Sequence, residues 1–170
     1  MTAYSTSNDE LPIRYGNIEQ IKLSDSNKSI IDFGIDGKMD LKKEGYILKI
    51  DDEKIIIRAK DSAGLFYAFI TLDQIIDDSK NNKTTLPIVD IEDFPSLEFR
   101  PIHIDIKHHT EKKTYYFNLI DHLAKLKVNG IIVEFEDKLK YETRPEVGSS
   151  DSFSIDWWIE LSEYAHNRNI

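Results

Sequence analysis

The stretch NGIIVEFEDKLKY, Asn129 to Tyr141, sets Glu134, Glu136 and Asp137 among Ile131, Ile132, Val133 and Phe135. Carboxylates are costly to bury without partners, so they belong at the open end of a strand. Strand alternation puts Glu134 and Glu136 on one face, with Asp137 following at the tip. There they could accept hydrogen bonds from a polar ligand or orient a basic neighbour such as Lys107 or Arg100. A solvated strand end running into a loop is the plainer explanation. A second group lies upstream in RPIHIDIKHH, which holds Arg100, His103, Asp105, Lys107, His108 and His109. The donor fork of Arg100 can bridge two neighbouring oxygens; a surface or interdomain arginine beside a proline is the alternative. Parity places Arg100 with Ile102, Ile104 and Ile106, and Asp105 on the other face. Both reach one pocket only across a bulge or twist. Histidine and carboxylate suit zinc or copper, yet adjacent His108 and His109 would point apart along a strand. The chain has no H-E-x-x-H helix, so neither a metal nor another cofactor is expected. Trp157 and Trp158 could form a stacking platform, but at a helix start they read as core or interface residues.

These groups need elements to position them. The chain has 170 residues, 40% hydrophobic and 31% charged, with net charge −9. That is enough for one core or two small ones. No Lys/Arg cluster stands out, so no nucleic-acid partner is expected. No stretch approaches the ~20 apolar residues of a membrane span. The opening MTAYSTSNDELP has neither the basic nor the apolar region of a signal peptide, which suits a soluble protein and leaves its compartment unknown. Cysteine is absent, which excludes disulfides and thiolate chemistry.

Residues 1–10 read as a loose tail. Ile18 to Ile35 holds two short strands, "IKL" and "IIDFGI". GYILKIDDEKIIIRAK is a hairpin, with Tyr46–Ile50 and Lys54–Lys60 joined by Asp51–Glu53. The following helix carries Leu65, Phe69, Leu72 and Ile76 at helical spacing, widened by Phe66 and Ile70. Asp61 or Ser62 can cap it, and it should end near Asp78. A proline-containing link follows, with a domain boundary near Pro95 to Phe99. Beyond it the rhythm is strand, helix, strand, helix, which implies parallel strands. The first of these helices should turn Phe117, Leu119, Ile120, Leu123, Ala124 and Leu126 inward; the second is capped by Ser154 or Asp156. The expected fold is an α+β part over 11–96, a small sheet plus a helix, then the start of an α/β unit over 97–170. Only 72 residues follow Glu98, against ~250 for a full (β/α)8 barrel.

The order of these motifs resembles family-20 glycoside hydrolases, the β-N-acetylhexosaminidases. Glu44, Tyr46 and Leu48 match an E-x-Y-x-L hairpin strand. Gly64, Leu65, Phe66, Tyr67, Thr71, Leu72 and Gln74 match the G-[LF]-[FY]-[YG]-x-x-T-L-x-Q helix of the family's N-terminal domain, which is described as zincin-like. Asp93, Pro95, Arg100 and Asp105 fall on the family's entry into barrel strand one. Lys127 and Asn129 match a K-x-N signature before strand two. The chain has Pro101 where most of the family has glycine, and lacks the H-x-H-L-x-D-D run. VEFEDKLKY and Lys107 are instead similar to the E-Y-E-D and D-[ILM]-K runs of the hexosaminidase D branch. The resemblance spans roughly Met39 to the C-terminus.

The resemblance implies the N-terminal α+β domain followed by the first two βα units of a TIM barrel (β1-α1-β2-α2). It implies hydrolysis of terminal N-acetylhexosamine by a substrate-assisted, retaining route, with substrate contacts from Arg100, Asp105, Glu134, Glu136 and Asp137. In this family the substrate's 2-acetamido oxygen attacks the anomeric carbon, supported by an Asp-Glu pair after barrel strand four. The only Asp-Glu dipeptides here are Asp9-Glu10 and Asp52-Glu53, in a tail and a hairpin turn. The chain is therefore expected to be an inactive N-terminal fragment, with open barrel edges that invite self-association. A non-catalytic interaction module and a different barrel glycosidase remain alternatives.

Overall fold

The computed structural model describes residues 30–170. The expected tail over 1–10 and the "IKL" strand lie outside the described residues. The chain divides into two compact units between Ser96 and Leu97.

The described part of the first unit comprises β1 (Ile30–Ile35), β2 (Tyr46–Ile50), β3 (Lys54–Ala59), α1 (Ser62–Asn82) and β4 (Val89–Asp93). The strands form one sheet in the order β1-β3-β2-β4. Strands β2 and β3 form the expected hairpin, with Tyr46 opposite Ala59 and Ile50 opposite Ile55. Asp51 closes it by accepting the backbone N–H groups of Glu53 and Lys54, both at 2.8 Å. This is the Asx-type turn that a short acidic link favours. Strand β4 adds antiparallel to β2, and β1 lies parallel to β3.

Alternation along the hairpin buries Tyr46, Leu48, Ile50, Ile55, Ile57 and Ala59 on one sheet face. The same core takes Phe66, Tyr67, Phe69, Ile70 and Leu72 of α1. Leu65 and Ile76, expected in the stripe, are only half-buried, because the face centres on Phe66, Phe69 and Ile70. Asp61 is the cap: its Oδ1 accepts the Gly64 N–H at 2.8 Å, while its Oδ2 accepts the N–H of buried Glu44 at 2.8 Å. The helix runs one turn beyond the expected end at Asp78. Lys83 adopts a left-handed conformation (φ 57°) and its N–H reaches the carbonyls of Ser79 and Lys80. That closure is backbone geometry of the helix C-terminal kind, and a lysine does not advertise it.

The second unit comprises β5 (Pro101–Asp105), α2 (Lys113–Lys125), β6 (Gly130–Glu134) and α3 (Ile155–His166). β5 and β6 pair in parallel, as the alternating rhythm implies. Ile106, Tyr116, Ile120, Trp157, Leu161 and Ala165 make the core, with Ile104, Ile131, Val133 and Phe135 packed against it. Trp157 is 4% exposed and its ring meets Tyr116, Phe117 and Phe153, so it is a core residue. Leu126, expected inward, is 73% exposed because α2 has already ended at Lys125. Ser154 caps α3, its hydroxyl oxygen accepting the Trp157 N–H at 3.4 Å.

Candidate functional site

The register of β5 on β6 places Asp105 directly opposite Glu134, each the last residue of its strand. Like charges opposed in a sheet repel. Lys107, just past β5, resolves this: its Nζ lies 2.9 Å from Asp105 Oδ2 and 3.3 Å from Glu134 Oε1. The second oxygen of Glu134 faces His103 Nε2 at 3.2 Å. Hydrogen bonds from the Lys107 ammonium and its own N–H hold the Asp105 carboxyl below its ordinary pKa. Asp105, and then Glu134, push the Lys107 ammonium upward. His103, Asp105 and Ile132 form the open face of the strand pair, while the opposite face carries Ile104, Ile131 and Val133 into the core.

Glu136 does not share a strand face with Glu134, contrary to the alternation argument. β6 stops at Glu134, and Glu136–Lys138 form a 3-10 turn. Glu136 enters it with φ 44°, a left-handed conformation costing roughly 1–2 kcal/mol for a residue with a Cβ. The hydroxyl of Tyr141 holds it there by donating to the Glu136 carbonyl at 2.7 Å. The Glu136 side chain is exposed. Asp137 turns to Lys138, with Oδ1 3.4 Å from its Nζ.

Arg100 is not brought together with the acids. Its Nε donates to the Lys127 carbonyl at 2.8 Å and an Nη donates to the Leu97 carbonyl at 2.7 Å. Five residues of strand separate it from Asp105, roughly 17 Å at strand rise, beyond the reach of one side chain. Asn129 completes this strut. Its Oδ1 accepts the Arg100 N–H and its Nδ2 donates to the Glu98 carbonyl, both at 2.7 Å. The K-x-N pair thus shapes the start of the strands.

The charges that organise the loops went unseen in the sequence. Lys138 is 7% exposed. Its ammonium lies 3.0 Å from Asp151 Oδ1 and 3.2 Å from Ser149 Oγ. Asp151 Oδ2 accepts the Thr110 hydroxyl at 3.0 Å. The Ser149 hydroxyl, with Lys138 and Thr110, holds the Asp151 carboxyl far below the usual carboxylate range. Lys138 and Asp151 stand 13 residues apart in sequence, with no periodic signal linking them.

Away from the acids, a groove of about 710 Å³ runs between β6 and α3, lined by Ile131, Val133, Phe135, Trp158, Leu161 and Ile170 among others. Among the described residues no group of three or more His, Asp or Glu could hold a metal ion. No described helix is long and apolar enough to cross a membrane.

The described residues thus define an α+β unit followed in sequence by a parallel strand–helix–strand–helix unit with charged strand ends. The family model for Glycosyl hydrolase family 20, domain 2, matches residues 6–94, just over half of the chain. The chain belongs to glycosyl hydrolase family 20. It is 31% identical to a beta-hexosaminidase of Porphyromonas gingivalis, covering 69% of this chain and 17% of that protein. It is 30% identical over 92 residues to beta-hexosaminidase B of Pseudoalteromonas piscicida, covering 54% of this chain and 12% of that one. Among solved structures it is similar to a glycoside hydrolase family 20 beta-N-acetylglucosaminidase, with TM-score 0.71 and 27% identity. That match covers 84% of this chain and 32% of the other. The chain therefore spans less than a third of the length of these relatives, or about that.

Proposed function

We propose that the chain is the N-terminal part of a β-N-acetylhexosaminidase that releases terminal N-acetylhexosamine from glycans by a substrate-assisted, retaining mechanism. On this reading residues 11–96 are the family's zincin-like α+β domain. Residues 97–170 are the first two βα units of a (β/α)8 barrel, with β5 and β6 as its first two staves. The observation that carries the reading is the parallel pair ending in step at Asp105 and Glu134. Barrel enzymes build their sites from such C-terminal strand ends, and the relatives named above are hexosaminidases.

The sugar contacts fall to four acids. Asp105 and Glu134 keep spare lone pairs beside Lys107, because each ionised oxygen can accept more than one hydrogen bond. Glu136 offers an exposed carboxylate, and Asp137 stands next to it. Arg100 joins them only by exchanging the Leu97 and Lys127 carbonyls for sugar oxygens.

The chain by itself is inactive on this reading. Asp52-Glu53 belongs to the turn of the hairpin between β2 and β3, in the first unit, and not to a strand end of the parallel pair. Asp9-Glu10 lies outside the described residues. Among the described residues β6 pairs with β5 alone, so its free edge favours self-association.

A chromogenic N-acetylglucosaminide assay tests the proposal. The 170-residue chain should give no turnover, and a longer product of the same gene should hydrolyse the substrate. Turnover by the chain alone, or a longer product lacking an Asp-Glu pair after the fourth barrel strand, would sink it. Light scattering should find the chain self-associated; a monomer at all concentrations would remove that part.

A further inference from the structure

We propose that Lys138 is a positioning residue: it anchors the loop after β6 to the loop after β5 and so sets where Glu136 stands at the strand ends. The inference rests on the reading above for the use made of Glu136, though not for the anchoring. An ammonium has three N–H donors and no acceptor. Lys138 meets Asp137, Ser149 and Asp151 with its own, at 3.4, 3.2 and 3.0 Å. Asp151 passes the tie to Thr110, which follows β5. The backbone repeats the closure. The Ser149 N–H donates to the Asp137 carbonyl at 2.8 Å, and Leu139 bridges in parallel to Phe153.

A buried lysine is a poor choice for stability alone. Well-packed apolar residues often replace buried ion pairs at no loss, so the charge is better explained by the conformation it selects. That conformation begins two residues earlier. Glu136 has φ 44° and its carbonyl accepts the Tyr141 hydroxyl. An unanchored loop would relax this residue to negative φ, the preference of every residue with a Cβ. The carboxylate would then leave the direction that the left-handed backbone gives it.

The test uses the full 170-residue chain with Lys138→Met, Lys138→Arg and Thr110→Val. Two signals decide it: the Glu136 13Cα shift, which reports backbone conformation, and the 13C-carboxyl titration of Asp151. Lys138→Met should move the Glu136 shift out of the left-handed range and raise the Asp151 midpoint. Lys138→Arg should restore both. Thr110→Val, which cuts one hydroxyl and leaves the lysine in place, should raise the Asp151 midpoint even if Lys138→Met does not fold. N-acetylglucosamine titrated into the same samples reads the consequence: at least a fivefold weaker dissociation constant in Lys138→Met, recovered in Lys138→Arg. Absence of binding to the unmodified chain counts against the functional reading above, while the two carbon signals still judge the anchor. Unchanged Glu136 and Asp151 signals in Lys138→Met, or in Thr110→Val if the first variant is unfolded, overturn it.

Discussion

Gly64→Ala sets two effects of opposite sign against each other in the first turn of α1. By helix propensity alone the change should stabilise by about 1 kcal/mol. The tertiary contact opposes it. A Cβ on Gly64 would stand 2.6 Å from the Gly45 carbonyl oxygen and 3.0 Å from Glu44 backbone atoms. Those atoms are not free to yield. The Gly45 carbonyl accepts the Lys60 N–H at 2.9 Å, and the Glu44 N–H is held on Asp61 at 2.8 Å. Glu44 already has φ 62°. Overpacking of this kind costs about 1–3 kcal/mol, and shifting the turn weakens hydrogen bonds worth about 1 kcal/mol each. The net expectation is a loss of about 2 kcal/mol, or a Tm drop on the order of 8–16 °C for a domain of this size. Urea unfolding followed by far-UV circular dichroism measures it. Gly37→Ala is the control, because its Cβ would meet only the Lys60 carbonyl oxygen, at 3.9 Å; that variant should be neutral or slightly stabilised. A Gly64→Ala chain as stable as the parent would refute the steric argument and leave propensity in charge.

Tyr46→Phe removes a buried hydroxyl that donates to Asp93 at 2.7 Å and meets the Thr71 hydroxyl at 2.6 Å. It should cost about 2 kcal/mol, as for other hydrogen bonds to charged groups, read by the same urea unfolding. Asp121→Ala takes the shared acceptor from Tyr164 and Arg168, which reach it at 2.9 and 2.6 Å. Because the pair is partly exposed, the loss in Trp-monitored unfolding should be about 1 kcal/mol. Lys107 holds Asp105 below its ordinary value of 3.8, so the stabilisation is full above that pH and is lost as pH falls through the depressed folded value. Acid unfolding followed by Trp157 and Trp158 emission should therefore be less steep in Asp105→Asn; identical acid profiles would contradict the assignment.

The hairpin was legible because its pattern is local. Alternation in YILKI and KIIIRA already names the residues that β2 and β3 bury. The parallel pairing of β5 and β6 followed from the strand–helix rhythm, and type and place narrowed each cap to two residues, Asp61 or Ser62 and Ser154 or Asp156, of which the structure uses Asp61 and Ser154. The end of α1 was not legible, because a left-handed Lys83 closes it and its side chain carries no signal for that backbone state. The candidate site was half legible. The register does set Asp105 opposite Glu134, but parity failed for Glu136, because β6 stops at Glu134 and Phe135 already takes a right-handed helical conformation.

By itself the sequence determined the elements, the facing of the hairpin and the family, because each depends on residues a few positions apart or on motif order. Only the tertiary structure decided the partners of the charges. Lys107 joins two strands, Arg100 turns to the Leu97 and Lys127 carbonyls, and Lys138 finds Asp151. Electrostatic and hydrogen-bond energies fall steeply with distance. Which charge meets which is therefore settled only when remote segments are brought within a few ångströms of each other.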